Sequence, residues 1–132
     1  MIRQAELRKD WPWAKHLVEA VRAKTNEEWL SEDVYVAVAT GKAAMYVLDD
    51  PQGVLVCYPE KDAWSGDPML HIWIVYCIGG MEQFIDEAMQ LLNKLAGNIS
   101  AKTMVMHSPR AGWQKAGWTV KEYVYEREVI NG

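Results

Sequence analysis

The stretch MLHIWIVYCIGGMEQFIDEAMQLLNKL, residues 69–95, carries the signal that decides the fold. Its first part, residues 69–76, is a short run of Ile, Val and aromatic side chains of strand length. Gly79 and Gly80 break that run. From Met81 onward Phe84, Ile85, Ala88, Leu91, Leu92 and Leu95 recur every three or four positions, the spacing that lines one face of a helix. Gly97 is expected to cap this helix, and residues 103–106 read as a brief strand beyond it. Two strands that run parallel need a crossover between them, and the helix over residues 81–95 supplies it.

Working outward, residues 43–48 read as a strand. The turn formers Asp49-Asp50-Pro51-Gln52-Gly53 then send residues 54–58 back antiparallel to it. The polar stretch 59–68 is expected to be a solvated loop, in which Trp64 is the odd apolar residue. At the start of the chain, residues 1–7 alternate loosely as a first strand. Asp10 is placed to cap a helix with Pro12 in its first turn and Trp13, Leu17, Ala20 and Val21 on one face. Thr25 and Glu28 have capping-box spacing, so Trp29, Leu30 and Val34 could continue a second helix toward Gly41. Val34, Val36 and Val38 alternate as a strand would, which leaves that segment open. Residues 109–117 read as a turn or single helical turn, and Val120, Val124 and Val129 mark a terminal β segment. The order is β, α, α, a β meander, α, β, a short α and β, which is an α/β (α+β) class with one mixed sheet and flanking helices.

Composition bounds the function. A chain of 132 residues, half hydrophobic and 24% charged, suits a single domain spanning residues 1–132 with one core. The net charge of −4 is dispersed without a run of Lys or Arg, which argues against nucleic acid as a partner. The longest apolar run, residues 69–80, is interrupted by His71 and falls short of the roughly 20 residues needed to cross a bilayer. Arg3, Glu6, Arg8, Lys9 and Asp10 stand where a secretory signal would need an apolar stretch, so a cytoplasmic location is expected, with no membrane partner. Cys57 and Cys77 lack metal or redox spacing and are expected to be buried packing residues. His16, His71 and His107 lie far apart with no carboxylate at ligand spacing, so no metal site is expected. Neither Ser65-Gly66-Asp67 nor Ser108 has the strand-turn-helix setting of a nucleophile elbow. Seven Trp residues are many for this length, and any exposed subset would point to a binding surface.

Near the C-terminus the run Trp113-Gln114-Lys115-Ala116-Gly117-Trp118 is similar to the Tyr-x-Lys-x-Gly-Phe ending of the fourth helix in GCN5-related N-acetyltransferases (GNAT). With the order of elements over nearly the whole chain, the sequence resembles a short member of that superfamily. Ser108-Pro109-Arg110-Ala111-Gly112-Trp113 also looks like a segment of short GNAT-like proteins carried by tailed bacteriophages.

The resemblance implies acetyl-CoA as cofactor, its pantetheine along the strand ending Ile74, Val75 and Tyr76. Its diphosphate would sit at the loop Cys77, Ile78, Gly79, Gly80 and Met81, where helix N-terminal amides favour anions. The family loop reads Arg/Gln-x-x-Gly-x-Gly/Ala. With its first Gly aligned on Gly80, Cys77 stands at the basic position and Glu82 at the last small one; with it aligned on Gly79, Tyr76 and Met81 do. Acetylation of an amine needs a base for the incoming ammonium and an acid for the departing thiolate. Trp113 replaces the family's acidic Tyr, so Tyr123 or Tyr125 is the substitute acid and Glu60 or His71 the substitute base, through water if needed. Two functions remain open. One is an N-acyltransferase acting on an amine of a small molecule or a protein. The other is a non-catalytic GNAT-shaped binding or phage assembly protein, as a homodimer or with an assembly partner.

Overall fold

The computed structural model describes residues 1–25, 27–80, 82–108, 117–121 and 127–129. Among them the order is β1 (Arg3–Gln4), α1 (Leu7–Arg22), α2 (Ser31–Ala39), β2 (Ala44–Asp49), β3 (Gln52–Lys61), β4 (Pro68–Cys77), α3 (Glu82–Asn98) and β5 (Thr103–Met106). The five strands form one sheet in sequence order. β1 to β4 are antiparallel neighbours, and β5 lies parallel to β4 after the α3 crossover. The mixed sheet, the meander and the crossover are those expected.

The alternation of the central strands feeds two cores. Val54 and Val56 of β3 and Ile74 of β4 face α1 and α2, where they meet Ala14, Leu17, Val18 and Val34. Leu55 and Cys57, with Leu70, Ile72 and Cys77, face α3 and its stripe Phe84, Ala88, Leu92 and Ala96. That stripe repeats every four residues, so one ridge of α3 lies on the sheet. Burying one such Leu or Phe side chain contributes about 1.5–3 kcal/mol, which makes these two layers the main source of stability.

Several boundaries differ from the sequence reading. The first strand shrinks to Arg3–Gln4, because α1 begins at Leu7 with Glu6 as its N-cap. Asp10 therefore stands inside the first turn. Its carboxylate reaches back to the Glu6 amide at 2.7 Å while accepting two bonds of 2.8 Å from Arg3. Pro12 falls in the second turn and leaves the Arg8 carbonyl without its intrahelical donor. Thr25 does not open α2. Its hydroxyl donates to the Arg22 carbonyl and accepts the Glu27 amide, closing α1. α2 starts at Ser31, where Asp33 accepts the Leu30 amide at 2.8 Å, and it is helical through Val34, Val36 and Val38.

β3 continues to Lys61, so the solvated loop is confined to residues 62–67 and Glu60 sits on a strand. The Asp62 carboxylate closes that loop on the amides of Trp64 and Ser65. Gly97 does not cap α3. Ser100 takes the left-handed conformation at φ 57°, and the bonds Ser100 N–H to Gly97 O and Ala101 N–H to Ala96 O complete a Schellman ending. The turn expected over residues 109–117 and most of the terminal β segment lie outside the described residues, apart from Gly117 and Val120; Val129 is exposed.

Candidate active site

The site begins with an irregularity in β4. Val56 pairs with Ile74 and Cys57 with Ile72, so Trp73 is an extra residue with no partner on β3. This is a β-bulge, which bends its strand and increases local twist. Trp73 and Ile74 both turn toward the α1 face, while Ile72 and Val75 face α3. β5 follows β4 only from Met69↔Thr103 to Ile72↔Met106. β4 therefore runs on from Trp73 to Cys77 after β5 has stopped pairing with it.

The Ile78 amide donates to Gln52 O at 2.9 Å. By the alternation of antiparallel pairing, the backbone groups of Ile74 and Tyr76 face β3, and those of Val75 and Cys77 face the edge that β5 has left. A small open cleft lies at this edge. Its floor is Ile72, Trp73 and Val75. One wall is Met106, His107 and Ser108, and the other is Val21, Lys24, Thr25 and Glu27 where α1 ends.

The loop after β4 leaves its backbone bare. Gly79 and Gly80 have φ of 87° and 110°, conformations that favour glycine, and a Cβ on either would meet no atom within 4 Å. Two amides of this loop are already engaged, that of Ile78 on Gln52 and that of Gly80 on Cys77 O at 3.3 Å. Glu82 opens α3 and is exposed, which suits the positive end of the helix dipole.

Beside the cleft stands an aromatic ladder. Trp29 meets Trp73 edge-on, Trp73 meets Tyr58 edge-on, and Tyr58 stacks on His71 at 4.7 Å with an 8° tilt. His71 in turn meets His107 edge-on at 5.2 Å. Glu60 Oε2 lies 2.9 Å from His71 Nδ1. Since a carboxylate only accepts, Nδ1 carries the hydrogen and the neutral ring keeps Nε2 as its acceptor. Burial first, then the carboxylates of Glu60 and Glu27, holds the Tyr58 phenol above its ordinary range. Tyr58 stays a protonated hydroxyl. Lys24 Nζ lies 5.4 Å from the centre of the Tyr76 ring, a cation over an aromatic face.

No family model matches this chain, and no curated protein matches it in sequence. Solved structures do match in fold. A probable acetyltransferase superposes with TM-score 0.72 at 14% identity, over 100% of this chain and 99% of the other. A ribosomal-protein-alanine N-acetyltransferase from Brucella melitensis biovar Abortus matches with TM-score 0.70 at 13% identity, over 98% and 99%. A predicted acetyltransferase from Clostridium acetobutylicum, solved with acetyl-CoA, matches with TM-score 0.70 at 8% identity, over 97% and 95%. The chain has the GNAT fold.

On this GNAT scaffold the sequence-predicted residues fall into three groups. Glu60 and His71, named as alternative bases, are joined in one hydrogen-bonded pair by the cross-strand register Tyr58↔His71. His71 is only 9% exposed, and the pair stands behind the cleft rather than on its lining. Ile74, Val75, Tyr76, Cys77, Ile78, Gly79 and Gly80 form the end of β4 and its loop. The Ile74 side chain is buried toward α1, and Cys77 is buried against α3, its thiol pushed up by burial. Cys77 therefore offers the loop its backbone rather than its side chain. Tyr123, Tyr125, Met81 and the run Trp113-Gln114-Lys115-Ala116 lie outside the described residues.

Cys57 is buried as expected, and burial pushes its thiol up to about 11. Among the described residues the exposed tryptophan is Trp64, 97% accessible at the β3–β4 turn, whereas Trp11 packs on Tyr35. Sequence reasoning missed Tyr58, Trp73, His107, Lys24 and Glu27. One signal was available, because Tyr58 and His71 are each near the loop of one antiparallel hairpin and so had to be neighbours. The bulge at Trp73 has no sequence mark. Among the described residues no group of three or more His, Cys, Asp and Glu could hold a metal ion, and no helix is long and apolar enough to cross a membrane.

Proposed function

We propose that this protein is an acetyl-CoA-dependent N-acyltransferase acting in the cytoplasm on an amine of a small molecule or a protein. The single observation that carries the reading is the parting of β5 from β4 at Ile72, which leaves the Val75 backbone groups facing a cleft. An extended amide-bearing chain such as pantetheine adds to a strand edge by backbone hydrogen bonds, so this edge suits it. The loop of Gly79 and Gly80 has no side chain to obstruct a diphosphate at the start of α3, while the Gly80 amide is already engaged on Cys77 O and the exposed Glu82 opposes the anion. Bound there, acetyl-CoA would supply an activated acyl thioester. The His71–Glu60 pair stands behind the cleft, and Tyr123 or Tyr125 serves as the proton donor to the thiolate.

The reading is tested by isothermal calorimetry and thermal shift with acetyl-CoA. At a hundredfold excess over the dissociation constant, a ligand specific for the folded state stabilises it by about 2.7 kcal/mol. Silence in both measurements at millimolar acetyl-CoA rules the transferase out. A second reading, a GNAT-shaped binding or assembly protein, is favoured by Trp64, which stands 97% exposed at the tip of the hairpin. An exposed Trp is a common anchor of protein interfaces. Self-association or partner capture lost in Trp64→Ala, with acetyl-CoA unbound, would support it.

A further inference from the structure

We propose that His107, which the chemistry assigned above does not use, is the group that takes the proton from the acceptor amine, with His71 and Glu60 behind it as positioning residues. The inference rests on the acyltransferase reading. Three observations carry it. His107 lines the cleft at the point where β5 leaves β4, while His71 and Glu60 do not. His107 is exposed, and its ring meets the His71 ring edge-on at 5.2 Å. The His71 ring is itself held at Nδ1 by Glu60 at 2.9 Å and stacked on Tyr58, so it forms a rigid backing for His107.

The charged and titratable groups around His107 come from three directions. Lys24 and Glu27 line the opposite wall, His71 lies beneath on β4, and Glu60 and Tyr58 stand on β3 behind it. In the step proposed, an N–H bond of the acceptor ammonium breaks, and a ring nitrogen of neutral His107 forms the new N–H bond. The acceptor is left with a free lone pair and His107 becomes an imidazolium. The His71 ring, held by Glu60, keeps the His107 ring in place for that transfer. The proton then leaves to solvent from the exposed ring. Glu27 on the facing wall attracts the same ammonium into the cleft.

The test has two arms. In the first, ring resonances of His107 and His71 are followed by NMR while acetyl-CoA is titrated, with calorimetry on the same sample. His107 is expected to shift on binding, and Glu60→Gln is expected to perturb both rings. Calorimetric binding with an unmoved His107 resonance overturns the assignment and leaves the acyltransferase reading standing. Absence of calorimetric binding removes the acyltransferase reading and the assignment with it.

In the second arm, thiol release from acetyl-CoA is measured with glucosamine, putrescine and a peptide bearing a free N-terminus. His107→Gln is expected to lower kcat/KM by about a hundredfold, the size of a lost general base, with acetyl-CoA affinity unchanged. The rise of rate with pH should flatten, and added imidazole should restore His107→Gly in part. His16→Gln, on the exposed face of α1, is the control expected to behave as wild type. A His107→Gln enzyme with wild-type kcat/KM and pH profile overturns the proposal.

Discussion

Arg3 grips Asp10 through two parallel N–H···O bonds of 2.8 Å, and the same guanidinium reaches Asp49 at 2.8 and 3.1 Å. One side chain of β1 thereby ties the start of α1 to the end of β2. The Asp10 carboxylate, 3% exposed, also accepts the Glu6 amide and the Trp13 indole N–H. Arg3 first among these causes holds Asp10 down at about 2, below the ordinary 3.8. A depressed carboxylate contributes stability that is fully present above its unfolded value and lost as pH falls through its folded one. Chemical denaturation of wild type and Asp10→Asn should therefore differ by on the order of 1–2 kcal/mol at pH 7, allowing for solvent around Arg3. The gap should close between pH 4 and pH 2, the window set by the ordinary 3.8 and the folded value of about 2. A gap that persists unchanged at pH 2 would contradict this account.

Gly53 opens β3 where the chain passes close to α3. A Cβ there would come within 3.3 Å of Phe84 Cε2 and of the Tyr76 carbonyl, and within 3.4 Å of Cys77 Sγ. The Tyr76 carbonyl is backbone and has little room to give. Gly53→Ala is expected to destabilise by about 1–2 kcal/mol, as overpacking usually does, and a lowered thermal midpoint would show it. An unchanged midpoint would mean that α3 can slide away from the hairpin.

Ser100 stands at the left-handed position of the α3 ending, where glycine is usual. Relief of the Cβ strain exceeds the extra freedom that glycine has in the unfolded chain. Ser100→Gly should raise stability by about 0.5 kcal/mol, read as a small rise in the denaturation midpoint at constant slope. Gly97→Ala, inside the helix with nothing within 4 Å of its Cβ, should stabilise by about 0.5–1 kcal/mol.

Glu82 begins α3 beside the loop proposed for the diphosphate. Its charge favours the helix end in the free protein and repels a phosphate in the bound one. Glu82→Gln is expected to tighten acetyl-CoA binding about two- to fivefold at low salt, a difference of 0.3–1 kcal/mol, and less at high salt. Calorimetry at two ionic strengths checks it. Equal affinity in the two proteins would separate the ligand from this helix end.

The readable parts of this fold were local. Residues 69–95 carry their strand, break and helix in the spacing of apolar side chains, and the hairpin announces itself in Asp49-Asp50-Pro51-Gln52-Gly53. The misplaced parts depend on distant contacts. Asp10 reads as a cap by position, yet Arg3 draws it into a buried ion pair one turn further in. The loop expected over residues 59–68 contracts because Pro59, Glu60 and Lys61 find partners in Leu70, Met69 and Pro68. Gly97 reads as a helix stop, but the chain bonds backward from Ser100 and Ala101.

By themselves, the residues determined the hairpin, the long helix and its crossover and the apolar face of that helix, because periodicity and turn chemistry act over a few positions. The resemblance to the GNAT superfamily added Glu60 and His71 as candidate bases. Only the tertiary structure decided that these two share a hydrogen bond, that Trp73 is the extra residue of a bulge and that His107 faces a cleft. Those relationships depend on strand register and on where β5 stops following β4, which are settled by packing between segments far apart in the chain.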